Sequence, residues 1–412
     1  MIDRRSLLRA SVAGLGAISL TPQLLAGQAG PSARVRERSG QPCLVLVQLT
    51  GGNDGLNTLV PYTEDTYFES RDNLAHKVRD LHRIDDRFAF APTLPKMARL
   101  YREGRMGIVH GVGYPDPNRS HFKSYEIWHA ADPRGRAAAP GWLGRVMAAK
   151  HGRKTDPHRM VHIGEQLPYS LHSSTHPALA FRTPKQYRWA GDGKPPVEFV
   201  TKGGDSARRF DDEVEPGSNL DFLRGVMSDA MASSVRVRDA IGGYRPAVEY
   251  PKGDFAQSLA VAAALLSSDV PAEVLSVEHT GFDTHAGQTN THARLLEELD
   301  EGLTTFLADV QAKVPHRRVL CLVYSEFGRR VAKNNSGGTD HGTAGPVFLF
   351  GSAVTAGQFG APPSLTELDS RGDLVHTTDF RSVYATVIRD LFGVQPEQVL
   401  GARYKTLPFL RT

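Results

Sequence analysis

Residues 43–55 read CLVLVQLTGGNDG, an apolar run that ends in a glycine-rich polar turn. Residues 43–49 contain a single polar side chain, which predicts a strand buried on both of its faces. Similar runs predict further strands over residues 106–111, 160–164, 274–279, 319–324 and 347–350. Strands of this kind are typical of a parallel sheet that helices cover on both sides.

Helical patterns lie between the apolar runs. They cover residues near 94–103, 120–131, 255–266 and 291–310, and a last one follows Thr378-Asp379. We therefore predict an α/β fold, a three-layer and mostly parallel sheet with helices on both faces, organised as one domain over residues 42–412. Residues 165–250 are polar and rich in glycine and proline, and we predict that they form an insertion or cap.

The composition is that of a folded protein and excludes a disordered or fibrous one, with 40% hydrophobic and 23% charged residues. The formal net charge of +4 comes in part from the N-terminus, where Arg4, Arg5 and Arg9 face only Asp3. Without those four residues, 46 basic residues face 44 acidic ones. Because no lysine- or arginine-rich run is interleaved with aromatic residues, we expect no nucleic-acid partner.

The N-terminus carries a targeting pattern. Residues 3–8 read DRRSLL, a twin-arginine pattern, and a weakly apolar segment and small residues around 26–29 follow. This order is typical of a signal peptide, although an ordinary amphipathic helix start is the alternative. We predict a twin-arginine signal over residues 1–29, a linker over 30–41, and a periplasmic or extracellular location reached through the twin-arginine export machinery. No internal stretch predicts a stable membrane span.

The chain has two cysteines, Cys43 and Cys321. Each lies inside an apolar run that predicts a buried strand. Buried free thiols and a disulfide between neighbouring strands are both compatible with these positions.

Functional groups of a doubly wound sheet gather just beyond the carboxyl ends of its strands. Asp54 stands there in the turn after the first strand, among glycines that allow the backbone to approach a ligand closely. The same residues are also those of a plain glycine-rich turn.

Arg119 and Ser120 follow the second predicted strand, at the start of a predicted helix. Ser120 is a candidate N-cap and a candidate nucleophile, and the two roles are compatible. The positive end of the helix dipole and its free N–H groups favour an anionic ester there. Arg119 adds a guanidinium suited to phosphate or sulfate oxygens.

Two further clusters combine acids with histidines. Asp283 and His285 follow the strand over residues 274–279, and a carboxylate and an imidazole at this spacing can converge on one cation such as zinc. Asp340-His341 stands between glycines after the strand over residues 319–324, where a turn with an incidental histidine is the alternative. Glu326 adds a carboxylate directly after that strand.

Six motifs of the chain resemble the exported bacterial domain-of-unknown-function 1501 family, which is placed in the alkaline phosphatase superfamily. They are GGNDGLN at 51–57, RSHF at 119–122, GWLGR at 141–145, GFDTH at 281–285, SEFGR at 325–329 and DHG at 340–342. The resemblance runs over nearly the whole mature chain. It implies an alkaline phosphatase-like fold that holds two divalent metals above the sheet and uses a hydroxyl or modified cysteine nucleophile.

Carried over by position, the resemblance implies that Ser120 is the nucleophile and that Asp283, His285 and His341 bind one metal. The other implied roles are metal ligation by Asp54 and Glu326, further ligation by Asp340, and anion clamping by Arg119 and Arg329. The chain departs from the superfamily at Phe327, which stands where a histidine ligand is usual. The second metal site is therefore one ligand short, unless Asp340-His341 supplies the missing pair.

We predict a metal-dependent hydrolase of phosphate or sulfate esters that acts outside the cytoplasm on a small-molecule or glycan anionic ester. One or two divalent ions are expected, zinc first, with manganese or calcium as alternatives. The alternative function is an exported binding or assembly protein that retains the fold without turnover. A purely structural surface protein, the third possibility, predicts no metal.

Overall fold

The computed structural model describes residues 41–132, 140–183 and 233–411. Nine strands within these ranges form one main sheet, and three short strands form a second. In chain order the strands are β1 Pro42–Thr50, β2 Leu59–Val60, β3 His82–Arg83, β4 Ala89–Phe90, β5 Met106–Gly113, β6 Met160–Ile163, β7 Leu179–Phe181, β8 Val274–Thr280, β9 Arg318–Tyr324, β10 Gly345–Phe350, β11 Gly357–Phe359 and β12 Thr378–Asp379.

The main sheet has the strand order β11-β5-β10-β9-β1-β8-β6-β7, and β12 pairs with β5 outside this path. Strands β9, β1, β8, β6 and β7 run parallel, whereas β10 is antiparallel to both β9 and β5. Every side chain of β1 from Cys43 to Leu49 is buried, as expected for a strand covered on both faces. The predicted fold class is confirmed.

Helices cover both faces of the main sheet. In chain order they are α1 Asp65–Arg71, α2 Pro95–Arg102, α3 His121–Ala130, α4 Trp142–His151, α5 Asp254–Leu266, α6 Gln288–Lys313, α7 Phe380–Thr386 and α8 Pro396–Leu400, and residues 233–242 are also helical. The odd-numbered residues of β1 share a core with α2, α5 and α6, and Leu44 and Leu46 share one with α3, α4 and α7. None of the helices in the described ranges has the length and apolar character needed to cross a membrane.

All six predicted strands are present, and their ends differ from the predicted ones by two residues or fewer. Strand β7 extends the main sheet beside β6, although it lies within the segment predicted as an insertion or cap. Residues 184–232 of that segment lie outside the described residues. So do the predicted signal over residues 1–29 and residues 30–40 of the predicted linker.

Cys43 and Cys321 lie on the neighbouring strands β1 and β9, and both thiols are free and fully buried. Burial raises the pKa of Cys43 to about 12, so its thiol stays protonated. The two cysteines therefore act as small apolar side chains of the core.

Candidate metal centre

The candidate centre lies at the carboxyl end of the parallel strands, where the turns after β1, β8 and β9 meet the first turn of α3. Arg329 holds these turns together. Its guanidinium donates to the carbonyls of Gly51, Gly52 and Phe282 and to the carboxylate of Asp283. Because its side chain is buried and these donors are paired, Arg329 fixes the geometry of the turns and has no donor turned to solvent.

Gly51 lets the turn after β1 approach the turn after β8. Its φ is +121°, a conformation that favours glycine, and a Cβ would collide with the backbone of Phe282 and Asp283. Its N–H donates to Oε1 of Glu326 over 3.0 Å. The backbone at Gly51 therefore sets the position of Asp283 relative to Glu326.

Three histidine rings surround the carboxylate of Asp283. Oδ1 lies 3.0 Å from Nε2 of His341 and 3.2 Å from Nε2 of His285, and Oδ2 lies 3.5 Å from Nε2 of His121. His121 comes from α3, His285 from the turn after β8, and His341 from the loop between β9 and β10. Side chains from distant parts of the sequence thus meet at one carboxylate.

The second nitrogen of each ring, Nδ1, donates a hydrogen bond away from the centre. The acceptors are Oε1 of Glu326 for His121 at 2.7 Å, the carbonyl of Arg119 for His341 at 2.8 Å, and Oδ1 of Asp340 for His285 at 3.3 Å. Because carboxylates and carbonyls only accept, each Nδ1 carries the proton. Each Nε2 therefore presents a lone pair to Asp283, which is how metal-binding histidines are held in proteins.

Two observations indicate that the centre fits a divalent cation. Nε2 of His285 lies 2.9 Å from Nε2 of His341, and two lone pairs at this distance repel unless a positive charge lies between them. Nε2 of His121 is buried and has no hydrogen-bond partner among the described residues, which is costly for a polar atom without a ligand. His121, Asp283 and His341 offer ligand atoms that all lie within 4.8 Å of one another. Imidazole and carboxylate ligands suit zinc and related ions.

Burial and contacts within the centre set the protonation states of its side chains. Partial burial opposes the ionisation of Asp283, but its contacts with His341 and Arg329 hold its pKa well below the usual range. The hydrogen bond to Glu326 raises the pKa of His121, whereas burial lowers the pKa of His341. Asp283 is therefore anionic and His341 neutral at neutral pH, the states in which these side chains bind a metal.

Glu326 is fully buried behind His121. Besides His121, its carboxylate accepts hydrogen bonds from the Tyr125 hydroxyl at 2.9 Å, the Gly51 N–H at 3.0 Å and the Ser325 hydroxyl at 3.0 Å. With four donors around it, Glu326 orients His121 and is not placed as a metal ligand itself.

A family model described as protein of unknown function (DUF1501) matches residues 42–402 of the chain. The chain belongs to this family. The match confirms the resemblance drawn from the six sequence motifs. No curated protein matches the chain in sequence.

Solved structures similar to this DUF1501 protein have low sequence identity to it. The C-terminal periplasmic domain of EcEptC from Escherichia coli, in complex with Zn, is 10% identical over 86% of this chain and 83% of that one, with a TM-score of 0.39. A protein in the alkaline phosphatase superfamily from Vibrio parahaemolyticus is 11% identical over 98% and 80%, with a TM-score of 0.40. A 2-O GAG sulfatase is 9% identical over 89% and 76%, with a TM-score of 0.39. Likenesses this distant bear on neither activity nor metal content.

In this DUF1501 protein Asp54, which the sequence predicts as a metal ligand, pairs with Arg71. Its Oδ2 lies 2.5 Å from Nη1 of Arg71 and 2.5 Å from Nε2 of Gln288, and both charged side chains are fully buried. Burial opposes the ionisation of Asp54, but the Arg71 guanidinium outweighs it and lowers the pKa of the carboxyl. Because its carboxylate is held in a buried ion pair, we do not propose Asp54 as a ligand.

Phe327 occupies the space beside the centre. Its ring centroid lies 4.9 Å from that of His121 and 4.7 Å from that of His341, and a Cβ on Gly52 would collide with it. The side chain is buried. Within the described ranges, one group of potential metal ligands has its atoms within 4.8 Å of one another, and it consists of His121, Asp283 and His341.

Both predicted anion clamps are paired with carboxylates. Arg119 donates to Asp373 at 2.6 Å and to Asp369 at 2.7 Å, and Arg329 is buried against Asp283. Ser120, the predicted nucleophile, is exposed and is the N-cap residue of α3, where its hydroxyl makes no capping hydrogen bond. Among these three residues only Ser120 has a side chain free to react.

Sequence reasoning gives His121 no role, although it stands in the RSHF motif. The signal that could identify it is the spacing of His121, Tyr125 and His129, which recur every four residues and so share one side of a helix. The structure shows these three rings stacked in a row, with centroids 6.1 and 6.0 Å apart. A polar stripe on the side of a helix that packs on a sheet indicates a functional site.

Proposed function

We propose that this protein hydrolyses phosphate or sulfate esters outside the cytoplasm with one divalent metal ion. The ion would be held by His121, Asp283, His285 and His341. The observation that carries the proposal is the orientation of the three imidazoles, each with Nδ1 anchored and Nε2 directed at Asp283. Zinc suits this ligand set best, and manganese and calcium are the other ions to test.

A divalent ion bound there would polarise an oxygen of the phosphoryl or sulfuryl group. Ser120 is the nucleophile in this proposal, because its free hydroxyl directly precedes His121. It stands at the N-terminal end of α3, where the helix dipole stabilises an anionic ester. Hydrogen bonds to Glu326 and Asp340 would hold the rings of His121 and His285, respectively, in the orientation that binds the metal.

The substrate in this proposal is a small-molecule or glycan ester that carries one anionic group. The proposal also includes export by the twin-arginine machinery, which rests on the DRRSLL pattern at residues 3–8. Folded, metal-loaded protein would then act in the periplasm or outside the cell.

Hydrolysis is tested with signal-free protein that has been stripped with a chelator and reloaded with zinc, manganese or calcium. The probes are an aryl phosphate, an aryl phosphodiester and an aryl sulfate. We expect metal-dependent turnover of at least one probe and a loss of ~1,000-fold or more in Ser120→Ala, with the metal content unchanged. Ser370→Ala, at an exposed turn, is the matched control and should keep full activity. Loaded protein that turns over none of the probes contradicts the hydrolase.

A binding or assembly protein without turnover is the second candidate function. The pairing of Arg119 and Arg329 with carboxylates favours it, because these cations are then not free to stabilise a transition state. Binding of inorganic sulfate or phosphate that requires the metal, measured by calorimetry and found without hydrolysis of any probe, would support this candidate. Hydrolysis that Ser120→Ala abolishes would exclude it.

A further inference from the structure

A row of polar side chains crosses the main sheet one step below the candidate metal centre. Gln48 of β1 lies in register with Glu278 of β8 on one side and with Tyr324 of β9 on the other. Because register partners on parallel strands point to the same face, the three side chains lie next to one another. The row belongs to the face of the sheet that α3 covers, since Leu44 and Leu46 of β1 pack there.

Helix α3 runs over this row with its polar stripe. Oε1 of Gln48 accepts hydrogen bonds from Nε2 of His129 at 3.0 Å and from the Tyr324 hydroxyl at 2.8 Å. Tyr125 lies one turn nearer the helix start than His129 and donates a hydrogen bond to Glu326. His121 lies one turn nearer still and reaches the candidate metal centre. The polar stripe of α3, from His129 to His121, therefore connects the polar row on the sheet with the candidate metal centre.

Glu278 is the member of the row that has no hydrogen-bond partner. It is half-buried, and no described residue donates a hydrogen bond to its carboxyl group. The buried carboxylate of Asp309, by contrast, accepts hydrogen bonds from the hydroxyls of Tyr244 and Tyr250 and from the N–H of Ala247. The half-buried carboxyl group of Glu278 is therefore open to a ligand.

A second unpartnered group lies beside Glu278. Thr50 follows Gln48 by two residues and so points to the same face of β1, diagonally next to Glu278. Its hydroxyl is buried and finds no partner in the described part of the chain. Thr50 and Nε2 of His121 are thus buried polar groups without a partner among the described residues, and the half-buried Glu278 lies on the same face of the sheet as Thr50.

The polar groups around Glu278 are Gln48 and Tyr324 from the neighbouring strands, Tyr125 from α3 and Glu326 from the turn after β9. His129 of α3 is hydrogen-bonded to Gln48. Burial and the Glu326 carboxylate raise the pKa of Glu278. His129 gives no compensating charge, because burial lowers its pKa to about 3 and keeps the ring neutral. Two carboxyl groups whose surroundings differ in this way are suited to different roles in one reaction.

We propose that Glu278 is the proton donor of this site, acting on the oxygen that leaves when the ester is cleaved. The inference rests on the proposed hydrolysis. Oγ of Ser120 forms a bond to phosphorus or sulfur and gives its proton to solvent. As the bond to the leaving oxygen breaks, its electron pair stays on that oxygen and takes the proton of the Glu278 carboxyl group. The resulting carboxylate recovers a proton from solvent before the next turnover. Thr50 assists by donating its unpartnered hydroxyl proton to an oxygen of the bound ester.

The dependence on the leaving group tests the role of Glu278. Metal-loaded wild type, Glu278→Gln and Glu297→Gln are compared on a phenyl ester and on the matching 2,4-dinitrophenyl ester. Because the dinitrophenolate leaves without protonation, we expect Glu278→Gln to lose ~100-fold or more on the phenyl ester and less than about threefold on the other. Glu297 is exposed on α6, and its variant should match the wild type on both esters.

The same experiment distinguishes failure of the proposed hydrolysis from failure of the proposed proton donor. A wild type that cleaves neither ester contradicts the hydrolase, and the role of Glu278 falls with it. A wild type that is active, while Glu278→Gln loses equally on both esters or on neither, contradicts the proton donor alone.

A readout without turnover is the titration of Glu278 in metal-free protein labelled with carboxyl ¹³C-glutamate. Its resonance is the one that Glu278→Gln removes. We expect its midpoint to lie above the ordinary glutamate value of about 4.3. A midpoint for Glu278 at or below the ordinary value overturns the proposal.

Discussion

At the scale of single residues, the site is decided by what each carboxylate touches. Asp283, Glu326 and Asp54 all stand just beyond strand ends, and the sequence offers no way to rank them as metal ligands. Asp283 faces three ring nitrogens, Glu326 is enclosed by four donors, and Asp54 pairs with a buried arginine. Their partners come from positions far away in the chain, so spacing alone could not assign the three roles.

Glu326→Gln should weaken metal binding without removing it. The amide can present its NH2 group to Nδ1 of His121, which would turn the ring tautomer away from metal binding. We expect the dissociation constant for zinc to rise ~10–100-fold, as for other partners of metal-bound histidines. Competition with a chromophoric chelator measures it, with Glu297→Gln as the control. An unchanged affinity would show that His121 is not held in this way.

Asp54→Asn should destabilise the fold and leave metal binding intact. The substitution removes the charge that compensates Arg71 in a fully buried pair, at a cost of about 3 kcal/mol in unfolding free energy. Asp80→Asn, in an exposed pair with Arg79, should change it by less than about 1 kcal/mol. Urea titration gives both values. If folded Asp54→Asn protein takes up no metal, Asp54 is a ligand after all.

At the scale of elements, apolar runs and helical periodicity predict the long strands and helices to within a few residues, because burial on both faces leaves few alternatives. The short strands β7, β11 and β12 carry too few residues for a pattern and owe their state to pairing with a neighbour. The candidate site also depends on this level of structure. His121 becomes a candidate ligand only once α3 is known to pack its polar stripe on the sheet.

Gly51→Ala tests the close approach between the turns after β1 and β8. The added Cβ would meet the backbone of Asp283, and φ at this position is +121°. Gly104→Ala is the matched control, since Gly104 has a φ of +68° but open space around it. We expect a loss of about 1 kcal/mol for Gly104→Ala and of at least ~2 kcal/mol for Gly51→Ala, which should also bind metal more weakly. Equal losses would mean that the approach is not tight.

Glu273 should make the stability of the protein fall in acid. It stands just before β8 and joins that strand to Lys150 and His151 of α4. Burial alone would raise its pKa, but hydrogen bonds from His151 and Lys150 outweigh it and lower the pKa to about 2. Because the pKa of Glu273 is lower in the folded state, its ionised carboxylate stabilises the fold at pH values above the unfolded-state pKa near 4.5. This stabilisation is lost as the pH falls through 2.

Comparing wild type with Glu273→Gln across pH isolates this effect. The difference in unfolding free energy should be about 3 kcal/mol from pH 6 to 8 and should shrink steadily between pH 5 and 2. A difference that does not depend on pH would show that the ion pairs of Glu273 do not account for the acid sensitivity.

At the scale of the whole molecule, the centre exists only because the sheet order brings distant turns together. Strand β1 lies between β8 and β9, so the turns that carry Gly51, Asp283 and Glu326 are neighbours in space. The rule that ligands gather at strand ends predicts a site at the edge of the sheet where the candidate centre lies. It could not show that Phe327 packs against His121 or that Arg119 is paired with carboxylates.

The number of metal ions per folded chain tests this account most directly. Signal-free wild type and His121→Ala are stripped, reloaded with zinc, desalted and analysed for zinc by mass spectrometry and for folding by circular dichroism. We predict one equivalent in the wild type and far less in folded His121→Ala, which lacks one of the four proposed ligands. No uptake by the wild type, two equivalents, or full loading of His121→Ala would contradict a single metal held by three histidines and Asp283.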